Sequence, residues 1–387
     1  MKRIISFVLI IAFSLPIFAV KKAPIPGAGQ IDQYRHLVDG KSVAVVANQT
    51  SMAGQTHLVD NLLYIGINVK VIFAPEHGYR DLAADGAQIS NGIDPATGIA
   101  VRSLYGERNK PSAEDLRGID IVIFDIQDVG ARFYTYISTL HYVMEACAEN
   151  NVKCMVLDRP NPNGFYFDGN IADTAYRSFV GMHPVPVAHG MTVGEYALMI
   201  NGEGWLKGGI QCDLTVIKCK NYTHKTLYEL PVEPSPNLPN QTSVFLYPSL
   251  CFFEGTRVSL GRGTDFPFQV YGSPLLPDRG FSFTPVSLPA STNPPLLGVK
   301  CFGVDLRNAI SDRIVPSPGI NLKWVINAYD EYPEKENFFT AYFDKLAAGP
   351  TLREQIQKGM TAKQIRESWK EGLRKFGEIR KKYLLYK

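Results

Sequence analysis

Four short, nearly continuous apolar runs constrain this chain more than any other feature. They are residues 42–48 (SVAVVAN), 69–74 (VKVIFA), 119–126 (IDIVIFDI) and 153–157 (KCMVL). Each is of strand length, and helical spacing appears between them at 57–65 and 133–149. Strands that are apolar on both faces and alternate with helices predict an α/β domain with a Rossmann-like, mostly parallel sheet covered on both sides.

Each run ends in a polar loop: Gln49-Thr50-Ser51, Pro75-Glu76-His77-Gly78, Gln127-Asp128-Val129-Gly130 and Asp158-Arg159-Pro160-Asn161. Ligands of open α/β sheets bind at the carboxyl ends of the strands. Most strands end in polar loops, so one such loop means little. Four rich in Asp, Glu, His, Arg and Asn point to a site.

At 387 residues the chain exceeds one ordinary core, and two domains are expected. The first, residues 21–250, takes in a helix at 192–201, with Thr192 and Glu195 at capping-box spacing, and a strand at 213–217. The four prolines of 230–239 (LPVEPSPNLP) exclude a helix or central strand and suggest an extended crossover. The second, smaller α/β (α+β) domain, 251–387, opens with Gly- and Pro-rich loops and holds a strand at 300–306. It closes on an amphipathic helix at 361–386, with Ile365, Trp369, Leu373 and Phe376 on one face.

The N-terminus reads as an export signal over residues 1–20. Lys2 and Arg3 precede an apolar run to Phe18, and Ala19 offers a small residue for cleavage. The run is shorter than the roughly 20 residues of a spanning helix, although a retained anchor is the alternative. A periplasmic or secreted protein without stable membrane insertion is therefore expected. A formal charge of +3 with scattered Lys and Arg argues against nucleic acid as a partner. The six cysteines, at 147, 154, 212, 219, 251 and 301, form no CxxC pair. His183 and His189 match no metal-binding helix pattern, and there is no P-loop, GxSxG elbow or GxGxxG after a strand, so neither a metal nor a cofactor is expected.

Glu76, His77 and Arg80 form the sharpest local cluster. A glutamate sheltered at a strand end suits proton donation, with an imidazole and a guanidinium as orienting partners. Alternatively, Glu76 caps a helix or pairs with Arg80. Glu254, between Phe253 and Gly255, is a second carboxyl candidate from the far side of an interdomain cleft; its alternative is to bind backbone amides of the turn at 261–263. Asp125, Asp128, Arg132, Asp158, Arg159 and Asn161 flank the strand ends, where carboxylates and amides suit sugar hydroxyls. Buried pairing, such as Asp125 with Arg132, competes with that reading. His189, Asn237 and Arg262 complete the substrate-binding candidates.

The strings VAVVANQTS, IFAPEHGYR, IDIVIFDIQDVGARFYTYISTL, VLDRPNPNG, SFVGMHPVPVAHGMTVGEYA, PSPNLPN and YPSLCFFEGTRVSLGRGTDFPFQVYG together resemble the exo-β-N-acetylmuramidase family of the NamZ type. The resemblance implies a Rossmann-like domain, a smaller C-terminal domain and a site in the cleft between them. It further implies release of terminal N-acetylmuramic acid from the non-reducing end of peptidoglycan-derived glycans. Carried over by motif, Glu76 is the catalytic candidate, and an Arg is the natural partner for the sugar's lactyl carboxylate. A non-catalytic muropeptide- or sugar-binding protein, and an amide or ester hydrolase of the cell wall, are the alternatives.

Overall fold

The apolar runs become the centre of a seven-stranded sheet in the computed structural model, which describes residues 22–80, 90–309 and 318–386. The expected export segment lies outside these residues. In chain order the first domain contains α1 (Ile31–Val38), β1 (Ser42–Ala47), β2 (Met52–Ala53), β3 (Thr56–His57), α2 (Leu58–Tyr64), β4 (Asn68–Ala74), β5 (Gly92–Ile93), β6 (Ala100–Ser103), β7 (Ile121–Asp125), α3 (Tyr136–Glu149), β8 (Lys153–Leu157), α4 (Val193–Gly202), β9 (Leu214–Ile217) and α5 (Gln241–Leu250). The strand order is β5-β6-β4-β1-β7-β8-β9. Every pair is parallel except the short β5–β6 edge. Chain order reverses across β1, between β4 and β7, and the crevice of such a sheet opens beyond the strand ends at that point.

Side-chain alternation explains why both faces are apolar. Val43, Val45, Ile72, Ile123 and Leu157 pack with Tyr34, Leu58 and Leu62 of α1 and α2. Ala44, Val46, Phe73, Phe124 and Val156 face α3 and α4 on the other side. That second cluster runs on without a break into Phe252, Phe343 and Phe376 beyond residue 250. The two halves of the chain therefore share one core.

The smaller domain carries a three-stranded antiparallel sheet of β10 (Val270–Ser273), β11 (Ser282–Phe283) and β12 (Cys301–Asp305), with β12 in the middle. It also holds α6 (Lys323–Glu331), α7 (Lys335–Phe338), α8 (Ala341–Leu346), α9 (Thr351–Gln357) and α10 (Ala362–Lys381). Ile365, Trp369 and Phe376 of α10 are buried, as the amphipathic spacing requires. The tail then returns to the first domain, where the Tyr386 hydroxyl donates to Asp158 Oδ2 at 2.5 Å. The capping box at Thr192 and Glu195 forms as read. All six cysteines are free and buried. Among the described residues no helix is long and apolar enough to cross a membrane.

Candidate active site

A cavity of ≈ 200 Å³ opens beyond the ends of β4 and β7, where the two domains meet. The first domain contributes Glu76, His77, Tyr105, Thr135, Ser235 and Asn237 to its lining, among others. Glu254, Arg262, Phe268 and Tyr342 close it from the second. Of the residues singled out in the sequence, Glu76, His77, Asn237, Glu254 and Arg262 are brought together here.

Glu76 lies two residues past β4 on a tight turn. His77 (φ 71°) and Gly78 (φ 93°) both take left-handed backbone, and Gly78 N donates to Pro75 O at 3.1 Å. A non-glycine residue in this region is uncommon. The turn places the Glu76 carboxylate within 2.8 Å of the Thr135 hydroxyl, which donates to Oε2. Thr135 is the N-cap of α3, yet its side chain makes no capping bond. A residue type that ordinarily satisfies its own helix here serves the carboxylate instead. The next residue fixes the backbone below: the Tyr136 hydroxyl accepts from Asn48 Nδ2 at 3.0 Å and donates to Glu76 O at 3.4 Å.

The Pro-rich crossover forms another wall. The Tyr134 hydroxyl donates to Pro234 O at 2.7 Å, which seats Ser235 and Asn237 beside the cavity. Asn237 is buried and donates through Nδ2 to Ala290 O at 3.2 Å. Opposite Glu76, Glu254 forms an ion pair with Arg262 through Nε at 3.1 Å and through Nη2. The pairing is thus with the Arg262 side chain, where the sequence had suggested amides of the surrounding turn. The Arg262 guanidinium also covers the Phe268 ring, 5.0 Å from its centroid.

The other candidates are braces, and none lines the cavity. Arg80 turns away to grip Asp60 (Nη1–Oδ2, 2.9 Å) and Asp94 (Nε–Oδ1, 3.1 Å), and its hydrogen bonds hold the Asp60 carboxyl below the usual range. Asp125 pairs with Arg159, not Arg132, through bonds of 2.6 and 2.8 Å, both residues being buried. Arg132 is wholly buried and donates to Asn170 O, Val185 O and Leu346 O at 2.7, 2.9 and 3.0 Å, tying α8 to the first domain. Asp128 is buried and accepts from Gly130 N at 2.6 Å, with His189 Nε2 3.6 Å away. Asp158 accepts from Gly194 N and the Thr192 hydroxyl, both at 2.7 Å, and burial pushes its carboxyl up to about 7. Asn161 donates to Met191 O at 2.8 Å. His183 bonds His141 across 3.0 Å. Among the described residues no three His, Cys, Asp or Glu side chains are placed to hold a metal ion.

Tyr105, Thr135, Phe179, Ser235 and Tyr342 belong to the cavity but were not singled out in the sequence. Thr135 falls inside the helix read from residue 133, so its N-cap position carries no signal in the sequence. The others reach the site through tertiary folding.

Two family models match the chain. Residues 43–242 match the N-terminal part of the exo-beta-N-acetylmuramidase NamZ, and residues 245–386 match its C-terminal part. The peptidoglycan beta-N-acetylmuramidase NamZ of Bacillus subtilis is 39% identical over 375 residues, which covers 92% of this chain and 89% of that protein. Two DUF1343 family proteins of Bacteroides fragilis, known from crystal structures, share the fold. One is 48% identical with a TM-score of 0.88 and covers 95% of this chain and 99% of its own. The other is 28% identical with a TM-score of 0.80 and covers 94% and 99%.

Proposed function

The chain belongs to the exo-beta-N-acetylmuramidase NamZ family and is a peptidoglycan-directed glycosidase, and on that premise we propose how its cleft does the chemistry. It releases β-linked N-acetylmuramic acid from the non-reducing end of peptidoglycan-derived glycans. The observation that carries the mechanism is the placement of Glu76 and Glu254 on one cavity, from opposite domains. Most glycoside hydrolases work with two such carboxyl groups flanking the scissile bond. Glu76, oriented by Thr135, passes its proton to the glycosidic oxygen as the bond to the anomeric carbon breaks; a water then supplies the new hydroxyl on that carbon and returns a proton to the enzyme, which restores the acid. Glu254, in its ion pair with Arg262, supplies the negative partner for the positive charge that develops on the sugar. Of the arginine candidates, Arg80, Arg132 and Arg159 are committed away from the cavity, and Arg262 lines it, paired there with Glu254, where it is placed to meet the lactyl carboxylate.

The test is release of free N-acetylmuramic acid from a disaccharide carrying it at the non-reducing end. Glu76→Gln keeps the shape and removes the proton, so turnover should fall by at least 100-fold, in the range that acid–base catalysis contributes, with the thermal midpoint unchanged. A wild-type protein that binds the disaccharide without cleaving it, or a variant with near-normal turnover, overturns the assignment.

A further inference from the structure

A second cavity, of ≈ 320 Å³, adjoins the first. Glu254, Arg262 and Tyr342 line both and form the partition between them. The far side is walled by Ser291, Thr292 and Asn293, over a floor that includes Val258 and Leu260. We propose that this second cavity is the subsite for the saccharide that leaves, the part of the glycan on the reducing side of the scissile bond. The proposal rests on the reading of the first cavity as the seat of the terminal sugar.

A carboxylate that acts on a glycosidic bond must stand where the two halves of the substrate meet, and Glu254 stands at that boundary. The bond then crosses the partition, with the terminal sugar in the cavity of Glu76 and the remainder in the cavity beyond. The far lining suits such an occupant. Hydroxyls and an amide exchange hydrogen bonds with sugar hydroxyls and acetamido groups, and Tyr342, 37% exposed, offers aromatic surface at the seam.

This wall is built against the catalytic side of the molecule. Val286 N donates to Gly263 O at 2.8 Å, and a Cβ at Gly263 would meet Val286 O at 2.5 Å and Pro294 Cγ at 2.6 Å. The segment carrying Ser291 to Asn293 therefore packs directly on the turn that presents Arg262. A cross-strand bridge between Leu288 and Ser291 holds its bend. The Asn237 amide reaches from the first cavity to Ala290 O and ties the two walls together.

The experiment compares two substrates that share N-acetylmuramic acid and differ in what leaves: a disaccharide and a chromogenic aryl glycoside, which offers no sugar hydroxyls to the subsite. In the double variant Thr292→Ala/Asn293→Ala, kcat/KM for the disaccharide should fall about tenfold further than for the aryl glycoside, chiefly through KM. Both side chains are exposed, so the thermal midpoint should hold. Equal losses on the two substrates, or none on either, overturn the subsite while leaving the glycosidase assignment intact. Failure of the wild-type protein to cleave the disaccharide strikes the assignment itself.

Discussion

Replacing Thr135 by Val removes one hydroxyl and nothing else of size, and the structure says where the effect should fall. The hydroxyl donates to Glu76 Oε2 at 2.8 Å and does not cap α3. The backbone at Thr135 (φ −73°, ψ −10°) is helical, which a β-branched residue accepts, and its carbonyl still receives Ser138 N at 2.9 Å. Folding stability should therefore change by less than about 1 kcal/mol, the usual size of one neutral hydrogen bond. A neutral hydrogen bond is worth about 0.5–1.5 kcal/mol. If that energy serves to hold the protonated Glu76 in its reactive position, kcat falls between about 2- and 12-fold, at about 1.4 kcal/mol per factor of ten. KM should move little, since Thr135 acts through Glu76. Thr135→Ser restores the donor and should restore most of the rate. Steady-state kinetics on the disaccharide, with thermal melts alongside, give the answer. An unchanged kcat in the valine variant, or a serine variant as slow as the valine one, refutes the positioning role.

Two further outcomes follow from buried charge. Asp125→Asn leaves the Arg159 guanidinium buried without its counter-ion, and losing one partner of such a pair costs about 3–5 kcal/mol; a denaturant midpoint close to wild type would show that the pair is not a brace. Acid should also weaken the fold through His141, which burial, reinforced by Arg177, lowers to about 4, with Glu145, Lys110 and His183 the other ionisable groups around it. The imidazole is neutral in the native state and protonates more readily once unfolded. Its contribution is present above about 6.5 and is lost as pH falls toward 4, a loss of up to about 3 kcal/mol. Urea unfolding at pH 7 and pH 4.5 measures it, and an equal drop in a His141→Gln variant would assign the acid sensitivity elsewhere.

The central strands were legible because their signal is local. Apolar runs of strand length bounded by polar residues fixed β1, β4, β7 and β8 to within two residues at either end. Strand β6 (AVRS), next to the sheet edge, is not legible, since its partly exposed residues carry no apolar period. Site residues divided differently. A charged residue just past a strand looks the same in sequence whether it meets a ligand or a buried partner. The partner decides, and it is remote: Arg159 finds Asp125 34 positions away, and Arg132 finds Leu346 214 positions away. Long-range contacts of that kind leave no trace in spacing. Thr135 was hidden for another reason. The apolar run suggested a helix from 133, whereas α3 starts at Tyr136, and those few residues turn an ordinary helical threonine into an N-cap facing Glu76.

The braces nonetheless bear on the chemistry. His77 holds a left-handed backbone of the kind that costs about 1–3 kcal/mol and persists only where the surroundings over-determine it. Its neighbours supply that constraint from both sides. Upstream, Tyr136 bonds the Glu76 carbonyl and Asn48 at the end of β1. Downstream, Tyr79 packs edge-on against His57 at 5.1 Å, and Arg80 is gripped by two carboxylates. Arg80 does not line the cavity, yet it anchors the far end of the strained turn that places Glu76 there. The same holds for Arg132, whose hold on α8 fixes the helix that carries Tyr342. The buried Arg132 thereby ties the first domain to the helix that closes the cavity from the second, and with it bears on the spacing between Glu76 and Glu254.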